Sequence, residues 1–447
     1  MLEPLKWFVD ENDFRFYLID CGSGLMHLII FPDNTVMLFD CNITNENEDA
    51  IIRFLDRCIP LKNNEESGEK EKCIDIFVNS HRDEDHYRGL KKINEKFKIK
   101  SIWDSGQSGE SVNSTDYNYY MYLRRALKKK SEDNLLVPTP SNVVLKTIGS
   151  VDIYCLAAEA EFVYQDTAIL EHATKIQHTN SMVLLMVYCG RKLLLTGDSD
   201  WKSWKEQIIS NFNGVIPNYE NTDILIASHH GSRSFFTDEE TIDLEKYPDT
   251  TYIESIELIN PTITLVSCAD YDYKNYHLPN VEAMKLYKAY TSGGMDQIHT
   301  THEKGNLCGY IDKKGNFGVI PERFKNHIPG GDRKICLKAY KRCNGEWIEI
   351  KSGEKVELNT EIKFSVFGIG NVLNSHDSIN IWWEVCNNGI DEYCEHKEVY
   401  RKRKSEDENK YSFSRDVVYK GKHLLRCRVR NIKKGFDETL VFLIEGI

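Results

Sequence analysis

Short apolar runs closed by turn residues fill the first 320 or so positions of the chain. Phe14–Asp20, Met26–Phe31 and Thr35–Asp40 read as strands, separated by Gly22, Gly24 and the turn at Pro32, Asp33 and Asn34. Ile51, Ile52, Leu55 and Cys58 then recur at helical spacing, as do Leu90, Ile93 and Phe97. Between them "CIDIFVN" is a buried-strand pattern, and "IKSIWD" is another. Val151–Leu156, Met182–Tyr188 and Lys192–Leu195 continue as strands. A helix follows with Trp201, Trp204, Ile208 and Phe212 along one side. "DILIAS" and "TITLVS" are further buried strands, and "NVEAMKLYKAY" is a helix. Such alternation predicts two sheets flanked by helices, an α/β arrangement.

The texture changes at "NHIPGGDR", Asn326 to Arg333. Beyond it "KICLKAY", "EIKFSVFG", "INIWWEVC", "HLLRCRVR" and "TLVFLI" are strand-like, with almost no helical periodicity. The expected plan is therefore an α/β domain over 1–325, a linker at 326–334, and a small all-β sandwich domain over 335–447. Trp382 and Trp383 fall on opposite faces of one strand, so one is expected in the core and the other presented outward.

Composition narrows the class. No apolar run is long enough to span a bilayer, and the start has no basic segment leading into an apolar one, so neither a membrane span nor a signal peptide is expected. Thirteen cysteines, never spaced CxxC, point to reduced thiols and a cytoplasmic location. The net charge of −12 argues against salt-driven coating of DNA. That charge is uneven: roughly −15 before residue 330 and roughly +3 after it.

Candidate chemistry begins in "FVNSHRDEDHYRGL", where a strand runs into His81, Asp83, Asp85 and His86. A loop leaving a strand can fold all four side chains around one point. Imidazole nitrogen with carboxylate oxygen suits zinc, manganese or iron. "KLLLTGDSD" places Asp198 just past another strand, and "DILIASHHGS" does the same for His229 and His230. Three strand ends converging on one edge of a sheet would surround two cations about 3.5–4 Å apart that share a hydroxide, with a carboxylate such as Asp198 able to bridge them. A set of unrelated polar turns is the competing explanation, and the threefold repetition of strand, small residue and ligand-capable group argues against it.

In this order and spacing, "HRDEDH", "TGD" and "SHHGS" resemble the metallo-β-lactamase superfamily, and within it the hydrolase domain of the competence protein ComEC. The likeness covers roughly residues 12–320. It includes the opening hairpin "IDCGSGLMHLIIF", Asp40 at the end of "LFDC", and Asn180-Ser181 before the TGD strand. The resemblance implies an αββα sandwich and two divalent metal ions, Zn2+ or Mn2+. His81 and Asp83 would hold one ion, Asp85 and His86 the other, with Asp198 between them. His229 falls in the usual final-ligand position; His230 is the alternative ligand or a proton donor. Asp85 and His230 are the expected catalytic residues. The superfamily's usual HxHxDH has a histidine where this chain has Asp83, a departure shared with the ComEC-like branch. The histidine that usually precedes the TGD strand is not evident: Asn180 occupies that region, with His178 two residues away.

Asp40 is expected to order a loop rather than bind metal. Arg82 and Arg88 are read either as phosphate holders or as solvent-facing charge. His277 is read as structural, and His299 and His302 as candidates to close the cleft. Tyr117, Tyr119, Tyr120 and Tyr122 are explained by helix packing more cheaply than by base stacking. "INIWWEVCNNGIDE" and "YKGKHLLRCRVRN" resemble the C-terminal sensor domain that follows adenylyl/guanylyl cyclase-like and SMODS nucleotidyltransferase enzymes of bacterial defence systems. Together these resemblances imply a phosphodiesterase or nuclease acting on nucleic acid or nucleotides. A nucleotide ligand at the C-terminal domain, an anti-phage role, and a homodimer or defence-system partner follow from them, with no membrane partner. Hydrolysis of a lactone, thioester or lactam is the alternative, as is a non-catalytic, metal-stabilised scaffold.

Overall fold

The computed structural model describes residues 12–63, 68–106, 114–158, 178–212, 214, 219–269, 277–294, 297–321, 335–367, 378–387, 394–402, 411–418, 420–431 and 436–447. The expected linker at 326–334 lies outside the described residues. Two compact units divide the chain, one holding Glu11–Phe317 and the other Asn326–Ile447.

In the first unit, β1 (Phe14–Leu18), β2 (His27–Ile30) and β3 (Val36–Phe39) form an antiparallel meander. β4 (Ile74–Asn79) and β5 (Ile99–Asp104) extend it in parallel, and β6 (Leu135–Leu136) pairs beyond β5. Helices α1 (Glu48–Cys58), α2 (Leu90–Phe97) and α3 (Thr115–Lys130) lie between these strands in the chain. The apolar spacing seen in the sequence is their buried face: Ile51 and Leu55 in α1, Leu90, Ile93 and Phe97 in α2.

A second sheet runs β7 (Lys146–Ile148), β8 (Val151–Ala157), β9 (Val183–Tyr188), β10 (Arg191–Leu195), β11 (Ile224–Ile226), β12 (Ile263–Val266) and β13 (Ile298–Thr300), in that order. Strands β10 to β13 are parallel, so their carboxyl ends share one rim. β14 (Leu307–Ile311) returns to the first sheet beside β1. Residues 201–212 wind as one helix whose stretch α4 (Ser203–Ile209) is π-helical, a local widening that the apolar spacing gave no sign of. Its apolar side is buried as expected, with Trp204 wedged edge-on against Tyr219 and Phe235 at 5.6 Å. α5 (Glu254–Ile259) and α6 (Val281–Tyr290) add to that core.

The second unit contains strands and no helix among its described residues. β15 (Cys336–Cys343), β16 (Glu346–Ile350), β18 (Glu361–Phe367) and β21 (Ser412–Asp416) make one sheet. β17 (Glu354–Val356), β19 (Ser378–Asn387), β20 (Cys394–Lys402), β22 (Gly421–Asn431) and β23 (Phe436–Gly446) make another. Ala339, Ile362 and Phe364 from the first meet Ile381, Trp383 and Phe442 from the second in one apolar core. Trp383 is buried, as expected of one member of the tryptophan pair, and the side chain of Trp382 lies outside what is described. No helix among the described residues is long and apolar enough to cross a membrane.

Candidate metal centre

Parallel strands deliver the chemistry. β3 ends at Asp40 and its parallel neighbour β4 at Ser80 and His81. In the second sheet β10 ends at Asp198, β11 at His229 and His230, and β12 at Ser267. The expectation of a single sheet edge is corrected: the three motifs come from two sheets, meeting where Met182 N–H donates to the Ser80 carbonyl at 2.9 Å. Gly197 is needed at this seam. Its φ is +52°, and an added Cβ would stand 2.5 Å from Ser181 Oγ and 3.0 Å from Ser80 Cβ.

Asp198 is the centre. Its Oδ2 lies 3.3 Å from His86 Nε2, 3.5 Å from His229 Nε2, 3.7 Å from His230 Nε2 and 3.9 Å from His81 Nε2. Two groups of potential metal ligands lie around it: His81, His178 and Asp198, and Asp85, His86 and His230. His178 therefore takes the place before the TGD strand that the sequence left open, and Asn180 does not. Asp83 Oδ2 stands beside the first group, 3.3 Å from His81 Nε2 and 3.2 Å from His178 Nε2. His230 joins Asp85 in the second group, its Nε2 3.7 Å from Asp85 Oδ2. His229 turns its Nδ1 to Ser234 Oγ at 2.7 Å and its ring toward His178, 4.4 Å between centroids. All seven residues singled out in the sequence thus lie in one cluster.

Supporting contacts hold the imidazoles. His86 Nδ1 lies 2.7 Å from Asp40 Oδ2, and Asp40 also accepts from Ser80 N–H and Oγ at 2.7 and 2.6 Å. His230 Nδ1 points at the Ser267 carbonyl, 3.3 Å away. Both arrangements put a proton on Nδ1 and aim Nε2 at Asp198.

The electrostatics agree with that geometry. Burial would raise the carboxyl of Asp198, but His86, His229 and His230 hold it well below the usual carboxylate range. Burial likewise opposes ionisation of Asp85, yet His86 and His230 hold it low, and Asp83 is held low by His178 and His81. In return Asp198, Asp40 and Asp85 raise His86 against its burial. His230 and His178 are also raised, by Asp198 with Asp85 and by Asp83 with Asp198 respectively. His229 differs: burial, with His178 and His230 beside it, pushes it down to about 3.

The residues fit metal binding. Nε2 of His81, His86 and His230 and Oδ1 of Asp198 are buried and make no hydrogen bond, which is costly unless something bonds to them. Nitrogen and oxygen donors without thiolate suit zinc or manganese.

Sequence reasoning did not single out His27, Ser80, Ser234 or Ser267. His27 is buried, its Nε2 lacks a partner, and burial with His86 and His230 nearby pushes it down to about 3. A histidine inside the apolar "MHLII" run was the available signal. Of the flanking groups, Arg88 is engaged by Asn42 at 3.0 Å and Glu84 at 3.3 Å. Tyr117 and Tyr120 pack against Tyr87, as helix packing predicts. His299 is buried and bonded to Lys304, and His277 is exposed.

No family model matches the sequence, and no curated protein does. Among solved structures the chain is similar to Igni18, a metallo hydrolase from the hyperthermophilic archaeon Ignicoccus hospitalis. The identity there is 12%, over 68% of this chain and 98% of that one, with a TM-score of 0.34. It is also similar to a mutant of the CmlA beta-hydroxylase, at 14% identity over 66% of this chain and 53% of that one, with a TM-score of 0.38. Overlaps this loose leave the chemistry to be read from the side chains themselves.

Proposed function

We propose that the chain is a metal-dependent hydrolase of the metallo-β-lactamase superfamily, on the αββα plan, and that it cleaves a phosphodiester in nucleic acid or a nucleotide. One observation carries the reading: two groups of histidine and aspartate ligands meet around the buried carboxylate of Asp198. His81, His178 and Asp198 would hold one cation, and Asp85, His86 and His230 the other, with Asp83 beside the first. Two such ions, when bound, supply activation of water and neutralisation of charge on the substrate's oxygens.

The remaining work belongs to the chain. Asp40 and the Ser267 carbonyl hold the rings of His86 and His230 by Nδ1, so that Nε2 is the nitrogen left to face a cation. Asp83 and Asp85, each about one-third exposed, are the acids at the mouth of the cluster, where water and substrate arrive. His229, held at Nδ1 by Ser234, keeps its Nε2 toward Asp198. Preference for a phosphodiester rests on Asp83 standing where other branches carry histidine, and on the ComEC-like order of the motifs.

The all-β unit is read as a ligand-sensing module that regulates the hydrolase in the cytoplasm, in a defence setting, from its resemblance to nucleotide-sensing domains. The deciding experiment is metal analysis of the purified chain, followed by a panel of single-stranded DNA, RNA, cyclic nucleotides and a chromogenic lactam. Metal-dependent phosphodiester cleavage is expected. Turnover of the lactam alone would transfer the reading to the alternative substrate class, and a protein that takes up no metal would end it.

A further inference from the structure

Asp200 divides its two carboxylate oxygens between two segments of the chain. Oδ1 accepts the N–H of Ser203 at 2.9 Å, and the Asp200 carbonyl accepts the N–H of Trp204 at 3.3 Å, so Asp200 caps the helix that winds over 201–212. Oδ2 serves the other segment and accepts the hydroxyl of Thr179 at 2.7 Å. Asp200 and Thr179 are both buried, which keeps water from competing for this bond. The same helix takes Thr179 at a second point, where Gln207 Nε2 donates to the Thr179 carbonyl at 3.2 Å.

These bonds join two members of one ligand group. Thr179 follows His178, and Asp200 lies two residues after Asp198. Ser181 ties the same two segments together a second time: its Oγ accepts the N–H of Asp198 at 3.0 Å, and its N–H donates to the His178 carbonyl at 3.0 Å. Of the two segments, 198–200 is the anchored one. Ser228 Oγ donates to the Ser199 carbonyl at 2.6 Å, Trp204 Nε1 donates to Ser199 Oγ at 3.0 Å, and the helix itself starts from Asp200. The bond between Thr179 and Asp200 therefore places Thr179, and with it the adjoining imidazole, against a fixed frame.

We propose that Asp200, acting through Thr179, is a positioning residue for His178, so that the short stretch Asp198–Asp200 supplies both a ligand and the brace for its companion. The cation that His178 would share with His81 and Asp198 rests on the hydrolase reading; the brace does not. A purely local role is the competing account, with Asp200 serving as helix cap and the threonine bonded to it without consequence. The two accounts part at Thr179. Valine, branched at Cβ like threonine, keeps the shape, leaves the cap whole and removes only the hydroxyl. Serine keeps the hydroxyl.

Thr179→Val and Thr179→Ser in the full chain test the brace, read by imidazole NMR of metal-free protein labelled in histidine and by optical titration with cobalt(II). The His178 ring resonances should shift in Thr179→Val while those of His86 and His230 stay. Cobalt binding should weaken by about 10- to 100-fold at one of two steps only. Thr179→Ser should restore both readouts. Asp200→Ser keeps a capping hydroxyl for the helix but loses the oxygen that reaches Thr179, and it should reproduce the valine result. Should Thr179→Val fail to fold, Asp200→Ser carries the same comparison. Unmoved His178 resonances, an equal shift across all the site histidines, or a valine effect that serine does not reverse overturns the brace. Full cobalt affinity in a variant whose His178 ring has moved overturns the role of the brace in metal binding. A wild-type chain that binds no cobalt overturns the hydrolase reading, while the imidazole spectra still decide the brace.

Discussion

The Nδ1 of His86 lies 2.7 Å from Oδ2 of Asp40, and both side chains are 0% exposed. A carboxylate with no exposure to water, spent on one imidazole and on Ser80, makes sense when the far nitrogen of that imidazole has a demanding partner. Asp40 itself adopts φ +58°, a conformation that aspartate and asparagine tolerate better than most residues. Asp40→Asn therefore keeps the backbone while removing the charge. It should weaken metal binding by about 10- to 100-fold with the fold retained, read by competition with a chromophoric chelator and by circular dichroism. Wild-type affinity in that variant would remove Asp40 from the support of the site.

Asp198 belongs to the first ligand group, and its Oδ2 also faces His86 and His230 of the second, at 3.3 and 3.7 Å. Asp198→Asn keeps the volume and loses the charge that four imidazoles face. Hydrolysis should drop by at least about 100-fold, and bound metal should fall below the wild-type ratio in elemental analysis. Full activity would mean that the reaction does not pass through this cluster.

His229 and His230 separate by role. His230→Ala removes a member of a ligand group and should cost one metal equivalent. His229→Ala should leave metal affinity within about tenfold of wild type, since His229 belongs to neither ligand group and is held at Nδ1 by Ser234. The reverse result would return the ligand role to His229, the position that the superfamily resemblance implies.

Metal uptake should depend on pH with a definite sign. In the cation-free protein His86, His178 and His230 hold protons above the ordinary imidazole pKa, because Asp198, Asp83, Asp85 and Asp40 favour the charged form against the burial that opposes it. A cation must displace those protons. Apparent affinity should therefore fall on going from about pH 8 to about pH 6, with protons released on binding. Calorimetry in buffers of different ionisation enthalpy measures that release, and a pH-independent affinity would contradict the assignment.

The core under the site can be probed apart from the chemistry. Trp204 is 0% exposed, packs on Tyr219 and Phe235, and donates Nε1–H to Ser199 Oγ at 3.0 Å. Trp204→Ala should cost about 3–5 kcal/mol in urea unfolding. A loss below about 1 kcal/mol would show that the π-helical segment is not anchored there.

Much of this was legible because strands and ligands obey local rules. "CIDIFVN", "KLLLTG" and "DILIAS" are apolar runs that only a buried strand accommodates, and the polar groups straight after them had to emerge at strand ends. What stayed hidden depends on pairing. That β4 belongs to one sheet and β10 and β11 to another is fixed by tertiary register, which local pattern does not encode. His178 was ambiguous because a residue ahead of a strand carries no periodic signature. The choice between His229 and His230 turned on backbone angles, and the widening of α4 is invisible in the spacing of Trp201, Trp204, Ile208 and Phe212.

Those angles have a consequence of their own. His229, His230 and Gly231 all take left-handed values, φ +48°, +57° and +74°. Three such links in succession curl the peptide so tightly that adjacent imidazoles leave it in different directions, one toward Ser234 and the other toward Asp85. Serine or threonine in either place would forfeit both a ring and a tolerable bend. The same curl still brings Nε2 of both rings to within 3.7 Å of Asp198 Oδ2, so the length of this turn is as much a requirement as its composition.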